Sequence, residues 1–377
     1  MSNIANEYRS ELPGTIRVLH ILNELRPSGA EMMLVSGSAE FRRLGVTTSV
    51  LSLGGIVGPY ADSMRQAGYR IIHIPFNKTL GFLNELRGIF KSDSYDAVHI
   101  HCERGSFWIS LIAKLSSRAT IVRTVHNVFP FEGALRLRRK LQRKMSSSIG
   151  VRFSAVSESV KKNELTRFGI EAQHIPNWYD NNRFFPPSAK QKQEARDALN
   201  IPQDTAVIVS VGNCNEAKNH SMLLRALKGI EGVSFLYLHV GHEDKDCTER
   251  KLAQEIGLES KVRFLGARSD IPVILHAADA YVMPSLYEGM SIAALEALGS
   301  GLPALFTEVP GLSDFKGLVP GIVYCSPTET GIREGVYQLL NRLKDETGAC
   351  REGRASKVAS LWGISSSIAC YVRLYGR

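Results

Sequence analysis

The sequence predicts an α/β protein built from two doubly wound, Rossmann-like domains. Three observations predict it. Apolar runs of strand length alternate with helical stretches in both halves, the pattern of parallel sheets covered on both faces. Each half opens on a buried-strand run, a turn and a helix, at 16–44 and again at 206–227. A chain of 377 residues is long enough to bury two cores of ordinary size.

Composition narrows the class. Hydrophobic content of 44% and charged content of 22% describe a globular chain rather than a disordered one. No apolar run reaches bilayer length, and the polar opening MSNIANEYRSELPG carries no signal-peptide core. Cys102, Cys214, Cys247, Cys325, Cys350 and Cys370 include no C-x-x-C pair and read as free thiols of a cytoplasmic protein. The net charge of +9 is uneven: residues 1–180 hold 24 Lys/Arg against 15 Asp/Glu, and residues 181–377 hold 22 of each.

In the first half, strand IRVLHIL (16–22) leads through Asn23–Ser28 into Gly29-Ala30-Glu31 and a helix to Leu44. Strands are then predicted at 47–53, 70–75, 97–101 and 120–126, with helices at 59–68, 80–91 and 106–116 between them. Polar residues at the carboxyl ends of parallel strands mark the functional edge. They are His101, Glu103 and Arg104, then His126 and Asn127. A strand-end histidine such as His126 also serves to cap a backbone carbonyl. His99 is read as pointing away from His101, which makes His-x-His a poor metal pair, and no metal site is expected.

Residues 131–145 set Leu137, Leu141 and Met145 on one helix face among Arg138, Arg139, Arg143 and Lys144. Six of the nine residues from Arg136 to Lys144 are basic. Such a helix suits an anionic membrane surface, and equally a surface helix whose leucines pack on their own domain. A strand within 151–157, a helix over 157–168 and the segment HIPNWYD (174–180) close the first domain, with a linker over Asn181–Lys192.

The second half opens on strand AVIVSVG (206–212), then Asn213, Lys218 and a helix to Leu227. Strands follow at 234–241 and 261–266, the first leading into a charged loop whose Asp244 and Asp246 form D-x-D, read as a solvated turn. The most informative stretch is AYVMPSLYEGMSIAALEALGSGLP (280–303). A buried strand ends at Pro284-Ser285, a turn carries Glu288-Gly289-Met290, and Ser291 is a natural N-cap for IAALEAL. A helix start at a parallel strand's carboxyl end offers free N–H groups and a positive dipole end, a ready diphosphate site. Gly289 lets a ligand come close. Glu288 before the helix and Glu296 inside it would accept hydrogen bonds from sugar hydroxyls, suggesting a nucleotide sugar. Taken alone, the same spacing describes a buried helix with two solvated glutamates. Two short strands over 304–327, a helix over 329–344 and a last segment, Leu361–Gly376, complete the chain.

The order of Pro284, Ser285, Glu288, Gly289, Glu296, Gly301 and Pro303, continued by Thr307 and Pro310-Gly311, closely resembles the donor signature of retaining glycosyltransferase family 4. Ser28-Gly29-Ala30-Glu31 is similar to that family's G-G-A-E loop, with Ser28 in place of a glycine. His126 resembles the histidine of its T-x-H segment, and 174–180 its I-P-N-G-x-D segment, with Trp178 in the glycine position. The resemblance implies the GT-B architecture: an acceptor domain over 1–180, a donor domain over 181–360 and a helix over 361–377, the domains facing across a cleft. That last helix would cross back to the first domain, with Trp362 and Tyr371 as its packing anchors.

The resemblance also implies the activity, transfer of a hexose-type sugar from a UDP- or GDP-linked donor to a glycan or lipid-linked acceptor hydroxyl, with retention and without a metal or other cofactor. Lys218 and the helix start at Ser291 would meet the diphosphate, with Gly29, Gly289 and Met290 lining the donor. Glu296 would bind the ribose and Glu288 the sugar, and His126, as a neutral imidazole, would orient sugar and acceptor. Asn213 stands where the family carries an arginine, forfeiting a charge-assisted contact; Arg268 is the candidate to replace it. Two other readings fit the same residues, a nucleotide-sugar epimerase and a non-catalytic protein binding anionic polymers or membranes. A nucleic-acid partner is not expected, since the basic run lacks a readout module.

Overall fold

The computed structural model describes residues 15–77 and 79–376. The polar opening Met1–Gly14 lies outside the described residues. The chain forms two compact units: one runs through Trp178 and takes back Ile364 onward, and the other is Tyr179–Gly363.

In the first unit, β1 (Ile16–Leu22), α1 (Gly29–Arg43), β2 (Val46–Ser52), α2 (Ala61–Gln66), β3 (Arg70–His73), α3 (Leu80–Ser92) and β4 (Ala97–Ile100) follow in turn. Next come α4 (Ser106–Ser116), β5 (Thr120–Val125), α5 (Gly133–Ser148), β6 (Arg152–Ala155), α6 (Glu158–Asn163) and β7 (Gln173–His174). All strands pair in parallel, in the order β3-β2-β1-β4-β5-β6-β7. The order reverses direction between β1 and β4, and such a switch point opens a crevice at the carboxyl ends of those two strands.

The helix expected over 157–168 forms without a break. Ser157 caps α6 by accepting from Val160 N, and Glu164–Phe168 continues it as a single π-turn that ends at Gly169. In that last turn Glu164 is fully buried and receives Nε of Arg143 at 2.7 Å.

The second unit holds α7 (Ala189–Ala198), β8 (Ala206–Val211), α8 (His220–Lys228), β9 (Phe235–Val240), α9 (Thr248–Glu255), β10 (Val262–Phe264) and α10 (Ile271–Ala277). It continues through β11 (Ala280–Met283), α11 (Ile292–Gly299), β12 (Ala304–Thr307), β13 (Ile322–Cys325), α12 (Glu329–Arg342) and α13 (Gly348–Trp362). Its parallel sheet runs β10-β9-β8-β11-β12-β13, with the switch point between β8 and β11. Its core joins Ile208, Leu223, Leu227, Tyr237, Val282, Leu305, Val336 and Leu339.

Part of the segment expected as a linker is helical. Ser188 and Gln191 form a capping box that starts α7. On that helix Arg196 is buried against Asp279, which also accepts from the backbone N–H of Val207.

The last helix, α14 (Ile364–Tyr375), packs within the first unit, where Tyr371 bonds Thr124 and Tyr375 bonds His99. Tyr371 is thus an anchor of that helix, and Trp362 is not. Trp362 ends α13 instead and packs on Phe315 in the second unit, ring centres 5.0 Å apart.

Candidate active site

In the second unit the switch point gathers the loop after β8 and the loop after β11. Leu286 N bonds Ala217 O at 2.8 Å, and Asn219 Nδ2 bonds Pro284 O at 3.1 Å, which ties the two loops together. This tie places Lys218 against Glu288. Lys218 Nζ donates to Glu288 Oε1 at 2.7 Å, and Ser285 Oγ donates to the same oxygen at 2.7 Å. One carboxylate oxygen is thereby fixed by two donors. The residue as a whole is 8% exposed, so its orientation is set from within the protein.

The turn that carries Glu288 is braced from β12. Glu288 N donates to Pro310 O at 3.1 Å, and Thr307 Oγ1 donates to Ser285 O at 2.5 Å. Gly311 has φ +85°, and a Cβ there would strike the carbonyls of Glu288 and Gly289. Only glycine fits this approach. Behind the turn, Ser291 caps α11 by accepting from Ala294 N at 3.3 Å. The first N–H groups of a helix have no partner within it and lie at the positive end of its dipole.

Glu296 lies one turn into α11 and is 5% exposed. Burial raises its pKa to about 8, with Arg183 pulling down and Asp180 pushing up. The folded protein therefore keeps this proton to higher pH than the unfolded chain. Its contribution to stability is complete below about pH 4.5 and is lost as pH rises toward 8. Accordingly, the melting temperature of Glu296→Gln minus that of the ligand-free wild type should increase from pH 5 to pH 8, since every pH unit by which folding raises this carboxyl is worth about 1.4 kcal/mol. The difference isolates this carboxyl, because the buried histidines, held below the usual imidazole range, favour folding as pH rises from 5. A difference that stays flat over that range would contradict the assignment.

The remaining predicted residues sit as follows. Asn213 is exposed after β8, and its Oδ1 accepts from His242 N at 2.9 Å. Arg268 is engaged by Asp270 in an exposed loop, through contacts of 2.8 and 2.5 Å, so the cation expected to replace the family's arginine already has a partner. Asp244 of D-x-D receives Thr248 N at 2.8 Å, at the start of α9. Gly289, Met290 and Ser291 are buried in the same turn as Glu288.

Gly29 and His126 belong to the first unit. Gly29 begins α1 after Ser28, whose φ of −126° and ψ of 173° are extended, so serine fits there without strain, and its hydroxyl donates to buried Glu31. His126 follows β5, is partly exposed, and joins Nε2 to Nδ1 of His101 at 2.9 Å. Burial lowers its pKa to about 4, keeping it neutral.

Two first-unit expectations are corrected. His99 and His101 share a face, their ring centres 4.0 Å apart. Side chains two apart on a strand point the same way, and that periodicity is the signal that reveals it. The arginines of α5 do not all face outward either. Arg143 is fully buried, with Nη1 and Nη2 each 3.1 Å from Glu103, while Arg123 also bonds Glu103 and Arg139 lies 3.6 Å from it.

Comparison with known proteins fits this geometry. The model of the glycosyl transferases group 1 matches residues 191–346, and the model of glycosyltransferase family 4 matches 27–183. EpsF of Bacillus subtilis (strain 168), which carries a provisional glycosyltransferase name, is 27% identical over 305 residues, 78% of this chain and 79% of that protein. The UDP-Gal:alpha-D-GlcNAc-diphosphoundecaprenol alpha-1,3-galactosyltransferase of Escherichia coli is 29% identical over 251 residues, 63% of this chain and 64% of its own length. The crystal structure of Anabaena HepE with UDP-glucose superposes at a TM-score of 0.80 and 17% identity, covering 95% of this chain and 99% of that one. A glycosyltransferase from Rickettsia africae superposes at 0.81 and 18% identity, covering 96% and 98%. These likenesses show the GT-B fold, two Rossmann-like domains. Both halves being matched, the chain belongs to the group 1, family 4 glycosyltransferases.

Proposed function

We propose that this glycosyltransferase moves a hexose-type sugar from a nucleoside diphosphate to an acceptor hydroxyl with retention at the anomeric carbon. The observation that carries the reading is the convergence of Lys218 and Ser285 on Glu288 at the mouth of α11. Lys218 and the open N–H groups of that helix neutralise the diphosphate, which supports a reaction without a metal. Glu288 addresses the sugar hydroxyls and Glu296 the ribose. His126, neutral, orients the acceptor.

In the transfer, the bond from the anomeric carbon to the phosphate oxygen breaks while the acceptor oxygen bonds the same face. The acceptor's proton passes to the leaving phosphate. No protein side chain is assigned as a nucleophile. HepE crystallised with UDP-glucose and the Escherichia coli relative is named for UDP-Gal, which favours a uridine donor. Incubation with UDP-, GDP- and ADP-sugars, with and without lipid-linked acceptors, tests the reading. Glycosylated acceptor is the expected result. Donor consumed without acceptor means an epimerase, and no turnover with any pair means a binding protein.

The acceptor side includes an anionic membrane surface on α5. Among the described residues no helix is long and apolar enough to cross a membrane. Yet Leu137, Leu141 and Met145 are 69, 61 and 45% exposed, while the side bearing Arg143 faces the domain. This argues against leucines packed on their own domain. On the neighbouring α4, Trp108 and Leu115 are 54 and 75% exposed. Apolar side chains flanked by Arg138, Lys140 and Lys144 match an interfacial helix, and the Escherichia coli relative is named for an acceptor on diphosphoundecaprenol. Changing Arg138, Lys140 and Lys144 to Glu should abolish sedimentation with anionic vesicles, each charge counting about 1 kcal/mol. Undiminished sedimentation would remove the membrane from the account.

A further inference from the structure

Four histidines meet in the first unit where β1, β4 and β5 run side by side, and the transfer reaction as proposed uses only one of them. His20 and His99 are opposite one another on β1 and β4, and both are buried. His20 Nδ1 lies 3.1 Å from His101 Nε2, and His101 Nδ1 lies 2.9 Å from His126 Nε2. The three rings form a chain from the core to the strand edge. His99 stands beside it, with Nδ1 2.7 Å from Tyr375 Oη and Nε2 2.6 Å from Thr124 Oγ1.

A neutral imidazole has one N–H and one lone pair. In a chain joined nitrogen to nitrogen, the tautomer of one ring therefore dictates the next. Two arrangements exist. In one, every ring carries its proton on Nε2; in the other, every ring carries it on Nδ1. The inner end decides between them. His20 Nε2 is buried and has no hydrogen-bond partner among the described residues. The first arrangement leaves an N–H there with no acceptor; the second leaves a lone pair. Orphaned buried N–H groups are the rarer of the two in folded proteins. Around His20 stand Phe41, Tyr69, Tyr375 and His99, with ring centres 5.3 to 6.4 Å away, and none of these neighbours is charged.

We propose that His20 and His101 are positioning residues that lock His126 as the Nδ1–H tautomer, so that it offers a hydrogen-bond donor at the strand edge and never a base. Because the chain ends in the core, no proton can leave by its inner end. His126 Nδ1 then suits an oxygen acceptor, such as a sugar hydroxyl or phosphate oxygen. This rests on the role proposed above for His126, but the tautomer is measurable without any turnover. Burial pushes all four histidines well below the usual imidazole range, consistent with neutral rings throughout.

The ligand nitrogens of His20, His99 and His101 lie within 4.8 Å of one another, the spacing of a metal site. Both nitrogens of His99 are already engaged, however, and among the described residues no carboxylate joins the group to offset a buried cation.

Long-range proton–nitrogen correlation on protein labelled with nitrogen-15 histidine reads the tautomers directly. The expected spectrum shows His20, His101 and His126 each protonated on Nδ1 alone, with no titration between about pH 5.5 and pH 8.5. His101→Phe should then leave His126 in mixed tautomers and titrating, and should add an acid limb to the kcat profile. A structural role alone would lower the melting temperature and leave the tautomer unchanged. An Nε2 proton on His126, mixed tautomers or titration in the wild type, or a spectrum that a chelator changes would overturn the inference, the last in favour of a metal. If no donor–acceptor pair is turned over, the spectrum still decides it.

Discussion

Lys218→Ala should lower kcat/KM for the donor by about 10²- to 10³-fold, the usual effect of losing one preorganised charge at a developing anion. Two consequences add. The diphosphate loses its cation, and Glu288 loses one of the two donors that fix Oε1. Lys218→Arg should recover only part of the loss, because the planar fork of arginine does not reproduce a compact ammonium. Steady-state kinetics with the donor varied checks this, with the melting temperature confirming that the variant is folded. Unchanged kinetics in Lys218→Ala would remove the lysine from the site.

Arg143→Met should destabilise the protein by about 3–5 kcal/mol, the cost of leaving the partner of a buried ion pair uncompensated. Arg143 holds Glu164 at 2.7 Å, contacts both oxygens of Glu103 and lies 4.3 Å from the ring centre of Phe168. Glu164 is fully buried, and burial already raises its pKa. Denaturant unfolding measures the loss; pairing the change with Glu164→Gln should recover part of it. A single-variant loss under about 1 kcal/mol would mean that the site relaxes or admits water. A charge reversal that included Arg143 would therefore test folding rather than membrane binding, and the vesicle experiment spares it.

The sheet was legible because buried parallel strands leave continuous apolar runs. The runs at 16–22 and 280–283 coincide with strands, and Ser291 caps α11 where its residue type predicts. Elements held by charge were not legible. α7 (AKQKQEARDA) has no apolar stripe and is anchored by Arg196 on Asp279. α13 buries Arg354, which bonds Glu346 and the carbonyls of Gly301 and Pro320. A hydrophobic period cannot report a helix fastened by guanidinium groups. The same blindness applies to α5, whose leucines fit an inward stripe equally well and face out. At the candidate site, the signature located Glu288 and Lys218. That they bond each other depends on the tie between the two loops, which no local pattern shows.

The central claim is that the second unit holds a nucleoside diphosphate by Lys218 and the open end of α11. Calorimetric titration of UDP and of uridine in the presence of a chelator, into wild type and Lys218→Ala, tests it most directly. UDP should bind wild type without a divalent metal and bind Lys218→Ala at least about tenfold more weakly, roughly 1.4 kcal/mol, while uridine binds the two alike. Equal UDP affinity for both proteins, or binding only after a divalent metal is restored, would contradict it.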